Sequence, residues 1–341
     1  MTDLRSDTVT RPTEAMLESM REATFGDDSR DGDETVRKLE ALAASRTGKE
    51  AGAFMPSGTM ANLVAMLAHG QRGGEVLLEE GSHTLNAEFG GIAGVAGLFY
   101  RGVPGKRGAM DVDALREMIR PITRFHMGTA LVWLENTHNR AGGAVLPLAH
   151  MRAVCELARE KGIPVHLDGA RLFNAAHALG ATAMDIAQHS DSVCFCVSKG
   201  LSAPVGSILC GPDAFIERAR AYRRMVGGNL RQAGPLAAAG IVALETMVNR
   251  LGEDHQMAKR LAEGFHRVDA SLCDPKDTET NLVRVDVRKS RRRAALWSAD
   301  LKAKGVLVAP ADIHVLRFVT HRHVSAPDVD AAVGAFASLW R

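Results

Sequence analysis

The chain has 341 residues, 46% of them hydrophobic and 24% charged, with a net charge of +2. That length can bury a large core and favours two packed units, and the composition is that of an ordinary globular protein. So small a net charge argues against nucleic acid or a membrane surface as a main partner, and no apolar run approaches the roughly 18–20 residues that span a bilayer.

The polar start MTDLRSDTVTRP lacks the apolar run of a signal peptide. After an amphipathic piece around TEAMLESMREA, the segment ETVRKLEALAASRTG reads as a helix stopped by Gly48. A short strand, EAGAFM, meets the turn PSGT and a second helix, TMANLVAMLAHG, with Met60, Leu63, Val64 and Leu67 as its apolar stripe. The strand EVLLEE follows, then TALVWLENT, the helix PLAHMRAVCELAREKG, and the strands IPVHLDGA and SVCFCVSK. The helix PDAFIERARAYRRMVGG begins at Pro212 and ends at Gly227. This alternation predicts an α/β fold, a mostly parallel sheet flanked by helices, over residues 1–250. Residues 251–341 read as a smaller α+β domain: a helix at EDHQMAKRLAEGFHRV, half-exposed strands at NLVRVDVR and HVLRFVTH, and a last helix capped by Ser325. The basic run RKSRRR reads as a solvated loop.

Five scattered cysteines, an odd number, read as free buried thiols in a reducing cytoplasm. Cys194 and Cys196 would face the same side of their strand, but no second Cys or His pair lies at zinc-like spacing, so no metal is expected. No G-x-G-x-x-G, P-loop, H-E-x-x-H or G-x-S-x-G occurs, which sets aside several enzyme classes.

In VSKGLSAPVGS, Lys199 sits between two apolar strand segments, with Gly200, Pro204 and Gly206 shaping the turn. A lysine there is costly unless paired or uncharged, and desolvation can lower its basicity by several units. Asp168 ends an apolar strand where ligands of open α/β sheets bind, and Arg171 follows it. D-G-A-R alone also fits a salt-bridged turn. Acid, arginine and amine at one sheet edge match the needs of pyridoxal phosphate: a lysine for the aldehyde, a carboxylate for the ring nitrogen, and a helix start for the phosphate. PSGT supplies that start, Gly58 allowing close approach and Thr59 reading as N-cap. His83, after EVLLEE, is placed to stack on the ring and move protons, or else is a surface histidine; His126 lies in the irregular segment before TALVWLENT.

The segments DLRSDTVTRP, MPSGTMANLVA, LENTHN, VHLDGARLFNA, SKGLSAPVGS, RRMVGGNLRQAG and LRFVTH span nearly the whole chain. Together they resemble the low-specificity L-threonine aldolases, fold-type I pyridoxal phosphate enzymes. The resemblance implies cleavage of L-threonine, L-allo-threonine and other β-hydroxy-α-amino acids to glycine and an aldehyde, with β-elimination or transamination as the alternative. It implies Lys199 as the lysine that carries the cofactor, Asp168 as partner of its ring nitrogen, Gly58 and Thr59 at its phosphate, and His83 against its ring. It implies Ser6, Arg171 and Arg317 as the grip on the substrate carboxylate, and His126 as a candidate at the substrate hydroxyl. Arg231 and Arg224 match basic residues presented to a neighbouring subunit's site, implying a dimer-based homo-oligomer, often a tetramer. Two departures stand out: Gly227-Gly228-Asn229-Leu230-Arg231-Gln232 lacks a third glycine, and His126 is shifted by one residue from the family's His-Phe-x-x-Thr pattern.

Overall fold

Seven apolar segments between residues 51 and 211 assemble into one sheet in the computed structural model, which describes residues 1–340. They are β1 (Ala51–Met55), β2 (Glu75–Glu79), β3 (Phe99–Val103), β4 (Thr129–Glu135), β5 (Val165–Asp168), β6 (Ser192–Cys196) and β7 (Ser207–Gly211). Their spatial order is β1-β7-β6-β5-β4-β2-β3, and all run parallel except β7, which is antiparallel to both neighbours. The central strands are covered on both faces, which is why they read as continuous apolar runs rather than alternating ones.

The longer helices are α1 (Glu14–Glu22), α2 (Glu34–Thr47), α3 (Gly58–His69), α4 (Leu148–Glu160), α5 (Leu172–Leu179), α6 (Asp213–Met225), α7 (Gly234–Val242), α8 (Leu251–Val268), α9 (Ala294–Ala303) and α10 (Ala326–Ala337). Successive strand residues feed different cores. Leu77, Val132, Leu134 and Leu167 pack with α2, α4, α5 and α7, whereas Val76, Leu78, Leu131 and Trp133 pack with α3 and α6.

Helix α3 differs from its sequence reading. Its buried side chains include Ala61, Asn62, Val64, Ala65, Met66 and Ala68, while Met60, Leu63 and Leu67 of the expected stripe are only half-buried. The sheet is approached by the small residues, because alanines let the helix backbone come close.

A third core holds α8, α9, α10 and the antiparallel sheet β8 (Leu282–Asp286), β10 (Val315–Val319) and β9 (Ala309–Asp312), in that order. Leu4 is buried in this core, and Thr2–Asp3 pairs parallel with Val306–Leu307. The N-terminal strand thus packs with the C-terminal unit, and the residues after it run on towards the edge of the large sheet. None of the helices described is long and apolar enough to cross a membrane.

Candidate active site

The carboxyl ends of the parallel strands open into a cleft of about 470 Å³, within the size range of small-molecule sites. Asp168, the last residue of β5, and Glu135, the last of β4, form part of its wall. The β6–β7 connection brings Lys199 to the same edge. That loop is pinned by Val197 N–H donating to the Gly206 carbonyl at 3.1 Å and by Thr10 Oγ1 donating to the Lys199 carbonyl at 2.9 Å. Gly206 has φ +115°, where a Cβ would overlap the Phe54 ring, so the turn requires glycine. Lys199 is half-buried, not enclosed as its apolar flanks suggest, and its side chain lines the cleft. Among the described residues no carboxylate forms an ion pair with it.

Asp168 is 2% exposed and held from two sides. Its Oδ1 accepts from the Ala170 N–H at 3.0 Å, and its Oδ2 accepts from Asn62 Nδ2 at 2.9 Å. The same Asn62 nitrogen donates to Glu88 Oε1 at 2.9 Å, while Asn62 Oδ1 accepts from Cys194 Sγ at 3.1 Å. Burial, then the neighbouring charges of Asp168 and Glu135, push the Glu88 carboxyl up to about 8.

The start of α3 forms a second wall. Ser57, not Thr59, is the N-cap: its side chain accepts from the Met60 N–H at 3.2 Å, because Ser57 holds the extended backbone that precedes the first turn. Gly58 and Thr59 follow as the first helical residues and line the cleft. A Cβ on Gly58 would stand 2.9 Å from Cys196 Sγ, so glycine lets the helix start lie against β6.

Opposite stand Ser6, Arg171 and Arg317. Arg171 is already paired: Nε and Nη2 each donate at 2.7 Å to Asp7, which also accepts from Asn281 Nδ2 at 3.2 Å. Burial raises the Asp7 carboxyl, but the Arg171 charge and hydrogen bonds outweigh it and bring it to about 2. Arg317 is freer. Its Nη1 donates to Asn139 Oδ1 at 3.2 Å, and its buried Nε has no hydrogen-bond partner among the described residues. Burial and the nearby Arg171 charge hold it below its ordinary value. A carboxylate brought to this wall would meet an uncompensated guanidinium.

His83 begins a five-residue helix, His83–Ala87, whose first N–H donates to Glu135 Oε2 at 2.6 Å. Glu135 Oε1 accepts from the Asn139 N–H at 2.8 Å, so one carboxylate fixes both the His83 backbone and the residue that steadies Arg317. Behind it, burial works against charge on His138, but its 3.0 Å contact with Glu79 and the nearby Glu135 hold that imidazole above its ordinary value.

The structure does not bring every expected residue here. His126 is exposed, lies before the start of β4, and lines a separate cavity with Phe99, Tyr100 and Phe125. Glu135 is at the other end of that strand, roughly 20 Å away at the usual rise per residue. His126 therefore cannot reach the cleft of its own chain. Arg224 and Arg231 are exposed and do not line the cleft; Arg231 lies 3.8 Å from Asp27. Sequence reasoning passed over Asn62, Glu88, Glu135, Asn139 and Asp7. Glu135, Asn139 and Asp7 lie inside quoted segments, LENTHN and DLRSDTVTRP, and Asn62 lies inside MPSGTMANLVA, whereas Glu88 lies outside them all.

The group expected from the sequence fits this cleft. An unpaired lysine, a buried carboxylate and a helix start face one volume, and an orphaned guanidinium nitrogen lies at its side.

Residues 3–288 match the model of the beta-eliminating lyase family. The low specificity L-threonine aldolase of Escherichia coli K12 is 43% identical over 100% of this chain and 98% of its own length. The threonine aldolase of Leishmania major superposes with TM-score 0.83 at 19% identity, covering 100% of both chains. A structure of SPT with PLP superposes with TM-score 0.77 at 17% identity, covering 98% of this chain and 86% of the other. With a family model matching most of its length and a relative of that identity along all of it, the chain belongs to the beta-eliminating lyase family, among the low-specificity L-threonine aldolases.

Proposed function

We propose that this protein is a pyridoxal phosphate-dependent aldehyde-lyase that cleaves L-threonine, L-allo-threonine and related β-hydroxy-α-amino acids to glycine and an aldehyde. The observation that carries the reading is the convergence of Lys199, Asp168 and the start of α3 on one cleft beside Arg317, which has no carboxylate partner among the described residues and keeps a buried Nε unbonded there. When bound, pyridoxal phosphate supplies an electron-poor ring that takes up the electron pair of the breaking Cα–Cβ bond.

The chain's own residues divide the remaining work. Lys199 offers the amine that anchors the cofactor and can accept or return a proton at Nζ. Asp168, fixed by Asn62 and Ala170, presents a carboxylate to the ring nitrogen. The Gly58 and Thr59 backbone N–H groups, in the first turn of α3, would hold the phosphate. Arg317, with Ser6 at the same wall, grips the substrate carboxylate; Arg171 mainly locks the N-terminal segment through Asp7. His83, its backbone tethered to Glu135, takes the β-hydroxyl proton on its imidazole as the aldehyde forms. That proton is returned when the carbon left behind becomes the glycine Cα.

A homotetrameric, dimer-of-dimers assembly is proposed with it. Phe89, Phe99, Ile122 and Phe125 are exposed apolar side chains that a second copy would cover, and Arg224, Arg231 and His126 would then serve a neighbouring site. A cytoplasmic location and a division at residue 250 are proposed on the same footing; five free cysteines support the first.

The test is aldehyde release from L-threonine and L-allo-threonine, with and without added cofactor, in wild type and Lys199→Ala. Cofactor-dependent aldehyde that falls roughly a thousandfold or more in the variant supports the reading. Bound cofactor with keto acid and no aldehyde would replace it by elimination or transamination.

A further inference from the structure

Glu88 is buried, lines the cleft and has no part in the reaction described above. Its Oε1 accepts from Asn62 Nδ2 at 2.9 Å, and the same nitrogen donates to Asp168 Oδ2 at 2.9 Å. A carboxamide nitrogen carries two hydrogens, and its two shortest contacts, both 2.9 Å, join these carboxyl groups. Two carboxyl groups bridged by one neutral amide inside a protein wall do not both hold charge without a large penalty.

The surroundings decide which one is charged. Asp168 has the Ala170 N–H as a second donor. Glu88 accepts from the shared Asn62 nitrogen, which also lies 3.4 Å from Thr84 Oγ1, and it feels the negative charges of Asp168 and Glu135. Positive charge comes only from a distance: Lys199 lowers it weakly, and His83 Nε2 stands 4.0 Å from Glu88 Oε1, beyond a hydrogen bond.

We propose that Glu88 is a positioning residue, a neutral carboxylic acid that clamps Asp168 through Asn62 and, by staying uncharged beside His83, leaves that imidazole free to accept a proton. The role of His83 rests on the function proposed above; the protonation of Glu88 does not. An ionised Glu88 would set a negative charge 4.0 Å from His83 Nε2. It would also place a second negative charge beside the carboxylate that serves the cofactor ring. The clamp explains why Asn62 occupies the buried face of α3: one helix carries the cofactor's phosphate turn at its start and, one turn later, the amide that orients Asp168.

The test uses Glu88→Gln, which keeps the acceptor for Asn62 and can never ionise, and Glu88→Ala, which removes it. In cofactor-free protein near neutral pH, wild type shows an infrared band from a protonated carboxyl that bleaches as pH rises through about 8, and Glu88→Gln lacks it. In the holoenzyme, Glu88→Gln keeps kcat at neutral pH within about threefold and loses any ionisation near that pH from its profile, whereas Glu88→Ala falls roughly tenfold or more because the Asn62 N–H is left unpaired. A band that persists in Glu88→Gln, or a loss in Glu88→Gln as deep as in Glu88→Ala, overturns the proposal. A wild type that releases no aldehyde overturns the proposed reaction, and the infrared result still decides the state of Glu88.

Discussion

Arg317 and Arg171 are both arginines at one wall of the cleft, and their partners separate their roles. Arg171 has a bidentate carboxylate of its own in Asp7, while Arg317 keeps a buried Nε without a partner among the described residues. Charge-assisted bonds to a substrate carboxylate are worth more than neutral ones. Arg317→Lys should therefore raise KM for threonine by roughly 10- to 100-fold with a smaller change in kcat; an unchanged KM would move the carboxylate grip elsewhere. Arg171→Lys should act through the fold, lowering the thermal midpoint and loosening residues 1–10, which limited proteolysis of the N-terminus would reveal. Residues of this kind were legible unevenly. Lys199 and Asp168 stood out because a charged side chain at the end of an apolar run is anomalous wherever it occurs. Asn62 and Glu88 did not, because each is an ordinary residue in its own segment, and their meaning comes from a partner 26 or 106 positions away.

Helix α3 shows what local pattern conveys and where it misleads. Its existence and its end at Gly70 follow from composition, and its start at a Ser-Gly-Thr turn was readable to within two residues. The face it buries was misjudged, since a helix that is apolar nearly all round has no single stripe. The turn itself makes two predictions. Ser57→Ala removes the cap and should cost about 1 kcal/mol, read as a lower thermal midpoint, and should also weaken cofactor affinity by freeing the first turn. Gly58→Ala forces a methyl to within 2.9 Å of Cys196 Sγ and should weaken cofactor binding further than Ser57→Ala does. Equal cofactor titration curves for wild type and Gly58→Ala would show that the close approach of α3 to β6 is dispensable.

At the scale of the whole molecule, a buried polar thread links α3, β5 and β6 beneath the sheet. His69 Nε2 and His166 Nδ1 lie 2.6 Å and 2.7 Å from Ser192 Oγ. Burial, with Arg218 beside it, lowers His69 from 6.5 to about 3, and burial, then His69, holds His166 well below its ordinary value. Both rings are thus neutral when folded and take up protons only on unfolding. Stability from this source is complete above about pH 6.5, the ordinary value, and declines as pH falls towards the folded values, by up to roughly 1.4 kcal/mol per pH unit for each ring. The thermal midpoint should drop between pH 7 and pH 5, and His69→Gln, leaving one titrating ring, should make that drop shallower. An identical slope in the variant would place the acid sensitivity elsewhere.

The identities of many strands and helices, their alternation, the turn around Lys199 and the carboxylate at the end of β5 were determined by the sequence itself, because apolar runs, glycine punctuation and misplaced charges are local properties; the strand Phe99–Val103 and the helices Leu172–Leu179, Gly234–Val242 and Ala294–Ala303 were not read there. Tertiary structure decided the rest. It seated Leu4 in the C-terminal core, turned Arg171 towards Asp7, sent His126 to the far edge of the sheet, and set Asn62 between two carboxyl groups. Each of these depends on a contact between residues distant in the chain, and the energy of such a contact is written in neither segment alone.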